Sequence, residues 1–323
     1  MRIFIAAILL SLLAPANEKL KAIDEIVVPA KDKIIRKREK QYKRPKAIAE
    51  WNFHRSLKDR IGDLDLKLHG QERKFLGGIH LGTCYLESPM IPMEITEKTF
   101  EVCIFTYNMW QKGGGVMTLQ APNNRFDSIV FAEKQAKKWI SGSDFHKRTK
   151  ALDGPEEKSG IFLHLIITYK KDGTVTFYRN GEIYGAPYKT EVLKVGKNQG
   201  KILFGLRHLP DNPGKRFKGF ITRARFYNRA LTKEQVRNCW KIENVTYEEV
   251  YATLKSSEKK KAAAAFKILA GMAKRFEKNN HQAKNNPNPK PNPEVKPPAK
   301  KPDILPEKKP EKKPINHGNR RYD

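Results

Sequence analysis

Two turn signals in close succession constrain this chain more than any other feature. Asp172-Gly173 and Asn180-Gly181 separate three segments of alternating apolarity, Ile161 to Tyr169, Val175 to Arg179 and Glu182 to Tyr184. Asp-Gly and Asn-Gly accept the positive φ that tight hairpin turns demand, so the run predicts a three-stranded antiparallel meander. In its first segment Ile161, Leu163, Leu165, Ile167 and Tyr169 share one face, with His164 and Thr168 on the other. A period of two makes the apolar face a core face. The same texture recurs at 126–133, 201–205 and 218–227, with Gly113-Gly114-Gly115 as a turn before a strand. In 218–227, Phe220, Ala224 and Phe226 share a face opposite Arg223 and Arg225. Many short strands and almost no helical period before residue 232 predict a mainly β chain, a two-sheet antiparallel sandwich spanning 47–231.

Helix follows the strands, over 232–278. Thr232-Lys233-Glu234-Gln235 and Thr246-Tyr247-Glu248-Glu249 both match the capping box, in which a hydroxyl and a side chain three residues on satisfy free backbone N–H groups. A third helical stretch, 257–278, spaces Ala262, Phe266, Leu269, Ala273 and Phe276 by three and four; docking on the sandwich suits this Ala-rich face better than lying on a membrane. From 279 to 323 Asn-Pro, Lys-Pro and Pro-Pro pairs dominate, predicting a disordered, extended tail.

Charge separates the ends from the middle. The chain carries 64 Lys and Arg against 35 Asp and Glu, a formal +29, and residues 256–323 alone hold 18 bases and 7 acids. A basic leader at 17–46 and the basic tail are expected to attract anionic polymers. Specific nucleic-acid recognition lacks support, because Tyr322 is the only aromatic residue in 277–323 to stack on a base. Residues 1–16 read as a signal peptide: Met1-Arg2, an apolar run from Ile3 to Leu13 broken by Ser11, then Ala14-Pro15-Ala16. That run is short for a membrane span, so the expected location is secreted, periplasmic or cell envelope, with no transmembrane segment after cleavage. Cys84, Cys103 and Cys239 leave an odd thiol whichever pair forms, and read best as buried unpaired core residues.

Several of these segments match one family pattern. They are Ala49-Glu50-Trp51-Asn52-Phe53 with Leu57-Lys58-Asp59, the Lys98 to Val102 strand, Ile167-Thr168-Tyr169 followed by Asp172-Gly173 and Phe177 to Gly181, and the closing run from Phe217 to Thr232. With them, residues 47–240 resemble the laminin-G-like domains of the concanavalin A-like lectin/glucanase superfamily. The stretch from Gly113 to Phe145 is similar to a subgroup known from large secreted planctomycete proteins. The resemblance implies a jelly roll. It leaves function open, since members bind glycans, proteins or steroids, some through a rim calcium, and the wider superfamily includes glycosidases.

Glycoside hydrolysis needs two carboxyl groups about 5–10 Å apart across a bond. Asp127 and Glu133 share strand parity but lie about 20 Å apart along it, and Asp63 and Asp65 read as turn caps. Without a paired-carboxylate motif, a nucleophile elbow or a phosphate loop, the expectation is a non-catalytic protein.

Two polar, aromatic loops are the candidate binding rim: Trp139, Ser141, Ser143, Asp144 and Arg148 in one, Arg207, His208, Asp211 and Asn212 in the other. Trp139 suits a sugar face, Arg148 and Arg207 suit carboxylate or sulfate, and Asp144, Asp211 and Asn212 suit hydroxyls or a calcium ion, which prefers several oxygen ligands. Against this stand a core position for Trp139 and structural ion pairs among Asp127, Glu133, Arg148 and Arg207. No cofactor is required, and calcium stays open. The resulting expectation is an exported glycan-binding module. A scaffold that binds an envelope protein is the alternative, and polysaccharide cleavage by a hydrolase or lyase the third reading.

Overall fold

The computed structural model describes residues 23–75 and 77–264, with Lys267 and Gly271. The expected signal peptide and the tail from 279 lie outside the described residues. Among those residues no helix is long and apolar enough to cross a membrane.

Among the described residues, fifteen strands form two antiparallel sheets. The larger runs β12 (Glu182–Ile183), β11 (Thr174–Arg179), β10 (Ile161–Tyr169), β6 (Lys98–Thr106), β15 (Gly219–Tyr227), β4 (Gly78–His80), β3 (Lys74–Phe75), with β1 (Ala49–Asn52) beside β15 and β13 (Tyr188–Lys189) beside β11. The smaller runs β2 (Lys67–Gly70), β5 (Cys84–Met90), β14 (Lys201–Phe204), β7 (Gly114–Gln120), β8 (Phe126–Phe131), β9 (Trp139–Ser143). The chain changes sheets after β1, β2, β4, β5, β6, β9, β13 and β14, and this repeated crossing between two antiparallel layers makes a jelly-roll sandwich. The meander read from the sequence is β10–β11–β12, and its turn centres Gly173 and Gly181 have φ of +83° and +80°.

Alternation fills the space between the sheets. Phe100, Val102 and Ile104 of β6, Leu163, Leu165, Ile167 and Tyr169 of β10, and Ala224 and Phe226 of β15 belong to one buried cluster with Leu86, Met117, Leu119, Ile129, Phe131 and Phe204 of the smaller sheet. Phe220 departs from the expected face. A register shift between Ile221 and Arg223 inserts a bulge in β15, and Phe220 packs outside the sandwich, beside Phe105 and Tyr107. The three cysteines are buried and free, and burial pushes the Cys84 and Cys239 thiols up to about 11 and 12.

The outer face of the larger sheet is covered by helices. Both capping boxes form, at Thr232–Gln235 and Thr246–Glu249, and start α2 (Lys233–Glu243) and α3 (Tyr247–Thr253). The segment read as a basic leader is largely helical: α1 (Val28–Tyr42) packs against α2 and α3, burying Ala30, Asp32 and Ile35. Over this stretch the charges are partly internal. Arg38 donates to the carbonyls of Lys241 and Asn244 and pairs with Glu249, whereas Arg36, Lys37 and Lys40 face solvent. The third helix is seen from 256 to 264, and its Ala262 is buried with Val27, Ala30, Val250 and Leu254.

Outward-facing polar residues of the sheet thereby become buried. Arg225, 1% exposed, donates to Glu50 Oε2 (3.1 Å), Glu101 Oε1 (3.2 Å) and Glu243 Oε1 (2.9 Å). Arg44 bridges Glu101 (2.9 Å) and Glu243 (2.7 Å), and the Tyr227 hydroxyl donates to Glu101 Oε2 at 2.5 Å. Burial opposes ionisation of Glu101 and Glu243, but the arginines outweigh it and hold both carboxyls below the usual range.

Candidate functional site

The first candidate loop is organised around Arg148. Its Nε donates to Asp127 Oδ1 (3.0 Å), and its Nη2 donates to the Phe126 carbonyl (2.9 Å) and to Asp144 Oδ1 (2.5 Å). Asp144 also accepts the Phe126 amide (3.2 Å), while Ser143 Oγ accepts the Arg148 amide (2.9 Å) and bonds Thr149 Oγ1 (2.9 Å). On the other side of Asp127 stands Lys98 of the larger sheet, wholly buried, with Nζ 2.8 Å from Asp127 Oδ2 and 4.5 Å from the centre of the Tyr169 ring. The Tyr169 hydroxyl bonds Ser141 Oγ at 2.8 Å. Two acids and two bases thus form a neutral buried chain from the rim into the space between the sheets. Burial opposes the charge on Asp144, but the Arg148 fork and the Phe126 amide hold its carboxyl below the usual range.

The structure therefore brings Ser141, Ser143, Asp144 and Arg148 together, but buries them: their polar atoms face one another rather than solvent. Trp139 lies at the opposite end of β9 with no exposed surface. Its ring packs on Phe131 (4.6 Å between centres), Phe217 (6.1 Å) and Phe177 (6.4 Å), and its indole N–H donates to Glu157 (2.8 Å). It is a core tryptophan, because an aromatic of this size on an inward position, here of the edge strand β9, fills the gap between sheets.

The second loop is spent on local pairs. Arg207 pairs with Glu133, Asp211 pairs with Arg216, and Asn212 Oδ1 accepts the Gly214 amide (3.0 Å) at the start of the short turn Pro213–Lys215. The ion-pair alternative thus holds for Asp127–Arg148 and for Glu133–Arg207. His208 alone ties the two loops: its ring stacks on Phe126 (5.2 Å, 30°), and the next amide, Leu209 N–H, donates to Gln120 Oε1 (2.8 Å). The two loops and the β7–β8 turn consequently meet at Phe126.

What faces outward there is a residue that sequence reasoning passed over. Phe145 is 90% exposed, the highest among the large exposed apolar side chains. It sits between Asp144 and His146 with φ of +46°, and His146 follows with φ of +56°. Two non-glycine residues in the left-handed region cost about 1–3 kcal/mol each, and such strain persists only where surroundings enforce it. The Arg148 network supplies that enforcement, since Asp144 and Arg148 flank the turn. His146 and Lys147, next along the chain, are exposed, as is Arg125, the neighbour of Phe126. An aromatic next to a histidine in a short polar loop was the available signal, but exposure is decided by backbone conformation, which spacing does not reveal.

Among the described residues no group of three or more His, Cys, Asp or Glu stands close enough to hold a metal ion. Asp144 and Asp211, the acids offered for calcium, each direct oxygens at an arginine.

Comparisons place the chain within known structure. Residues 92–237 match the Laminin_G_3 family, described as the concanavalin A-like lectin/glucanases superfamily. No curated protein matches the sequence. Among solved structures, domain 4 of AbnA, a GH43 extracellular arabinanase from Geobacillus stearothermophilus solved with arabinotriose, is 19% identical at a TM-score of 0.46, covering 60% of this chain and 97% of that one. The Botulinum neurotoxin serotype G binding domain is 13% identical (TM-score 0.42; 61% and 51% covered). The Trypanosoma rangeli sialidase is 10% identical (TM-score 0.42; 61% and 31% covered). Each likeness to a solved structure is distant. The likeness to the concanavalin A-like lectin/glucanases superfamily thus rests on residues 92–237, which lie within the two-sheet jelly-roll sandwich.

Proposed function

We propose that the chain is an exported, non-catalytic binding module that recognises glycan at the loop rim around Phe145. The carrying observation is the presentation of Phe145. A buried ion network flanks an exposed aromatic side chain on strained backbone, next to exposed histidine and basic residues. Aromatic faces suit the C–H faces of sugar rings, and His146, Lys147 and Arg125 suit hydroxyls or acidic substituents. The family match, which spans lectins and glucanases, supports binding as the coarse class. The buried acids of the sandwich described above are each engaged by basic or hydrogen-bonding partners, which favours binding over hydrolysis. Export rests on the first 16 residues, and attachment to anionic polymers on the basic tail.

The test is a glycan array followed by isothermal titration, with Phe145→Ala and His146→Ala beside the unaltered chain. Both positions are exposed, so stability is expected to change by no more than about 0.5 kcal/mol while affinity falls at least tenfold. Unchanged affinity in both variants overturns the rim assignment. Release of reducing sugar by the purified chain overturns the non-catalytic reading.

A further inference from the structure

A second site lies away from the rim, between the helices and the outer face of the larger sheet. A cavity of about 290 Å³ opens there, with Cys103 of β6 and His164 of β10 on its floor and Val28 of α1, Glu243 of α2 and Val250 of α3 on its walls. That volume is near the lower end for small-molecule sites and far above the roughly 30 Å³ share of one water.

Two buried polar atoms on residues lining this cavity have no hydrogen-bond partner among the described residues: His164 Nδ1 and Glu243 Oε2. The residues are 3% and 5% exposed. Their other atoms are committed. His164 Nε2 lies 3.0 Å from Glu101 Oε1, and Glu243 Oε1 accepts from Arg44 and Arg225. The nearest guanidinium to Glu243 Oε2, that of Arg223, stands at 3.9 Å, beyond hydrogen-bond reach. An unsatisfied buried polar atom costs about 1–3 kcal/mol, so two at one cavity point to an occupant that satisfies them.

The chemistry of that occupant follows from the walls. Glu243 Oε2 belongs to a carboxyl that its arginines hold well below the usual range, so it accepts only; the occupant must donate to it and also reach His164 Nδ1. A cation finds no net attraction, because the charged side chains of the lining already balance, Lys31 and Arg223 against Asp32 and Glu243. A carboxylate would meet Glu243 head on. The remaining walls include Val27, Val28, Val250 and Phe162, which favour an apolar body. Trp240 is not free to stack on a ring. It lies against His164 on one side (5.9 Å, 23°) and close to the Gly181 backbone. We infer that this cavity is a binding site for a small neutral amphiphile, an apolar body carrying a hydroxyl or amide head that donates to Glu243 and hydrogen-bonds His164 Nδ1.

Benzyl alcohol is the probe, with benzylammonium and benzoate as its charged counterparts, titrated at pH 7 into the full chain. Saturable binding of the alcohol, at least tenfold tighter than either ion, is expected, together with a change in the His164 ring ¹⁵N shifts. Val28→Trp, at a partly exposed wall position, is expected to fill the cavity and weaken binding at least tenfold. Val250→Phe provides a second filling variant from the opposite wall. The inference is overturned if the alcohol fails to saturate, if benzylammonium or benzoate binds as well, if binding survives a folded filling variant, or if the His164 nitrogens of the unaltered chain do not move. Loss of glycan binding in Phe145→Ala leaves this result untouched, so the two sites fail separately.

Discussion

Arg148 is the residue on which the rim depends. Removing its guanidinium leaves Asp127 and Asp144 buried without a fork and Lys98 with half its neutral network, so Arg148→Ala is expected to cost about 3–5 kcal/mol in urea unfolding. Trp139→Ala is expected to cost a similar amount by opening a cavity among Phe131, Phe177 and Phe217. An outcome near zero for either would contradict its buried placement. His80 makes a pH-dependent contribution. Its Nε2 bonds the Tyr107 hydroxyl at 2.7 Å, and burial, with Arg73 nearby, lowers its pKa to about 4. A base with a depressed folded pKa stabilises fully above its unfolded value near 6.5 and loses that contribution as pH falls toward 4. Stability between pH 6.5 and 4 is expected to drop by up to about 3 kcal/mol, and His80→Gln to flatten that slope in urea titrations. At this scale the sequence revealed residue types well and their exposure poorly. Trp139 and Phe145 stand six residues apart, yet one has no exposed surface and the other is 90% exposed. Strand position decides the first and a left-handed turn the second.

The elements were more legible where a local rule applies. Both capping boxes and the β10–β11–β12 meander follow from hydroxyl spacing and from turn glycines, each a matter of a few adjacent residues. Long-range covering was not legible. Arg223 and Arg225 read as one exposed face of a strand, but α1 and α2 cover that face, and the basic residues of α1 are partly used to hold it. Nothing within a strand's own period announces a helix two hundred residues away. The cover has an acid-sensitive latch. Burial disfavours the charges on Glu101, Glu243 and Glu50, yet their arginines hold all three below the usual carboxylate range. Carboxyls with depressed folded pKa stabilise fully above about pH 4.3 and lose that contribution as pH falls further. Hydrogen exchange is therefore expected to show α1 losing protection below about pH 4, ahead of β10 and β6. Arg225→Met should produce the same loss at pH 7, and protection of α1 equal to that of β6 in that variant would refute the latch.

For the whole molecule, shape and charge belong to different parts of the chain. The sandwich and its helices spend much of their charge internally, in the Glu101–Arg225–Glu243 and Lys98–Asp127–Arg148 clusters. Residues 279–323 contain eleven basic and five acidic residues, very few apolar ones and many prolines, and lie outside the described residues. A segment of that composition has little apolar surface to offset the entropy of ordering, so it is expected to add attraction for polyanions and little stability. Deleting 279–323 is therefore expected to leave the melting temperature of the chain unchanged within about 1 °C. The same deletion should lower the salt needed to elute the protein from immobilised heparin, because exposed charges act through a screening length of about 8–10 Å at moderate ionic strength. Glycan affinity at the Phe145 rim should be retained at high salt in both forms. An unchanged elution position would refute the tail as an electrostatic tether. A lowered melting temperature would show instead that the tail packs on the sandwich.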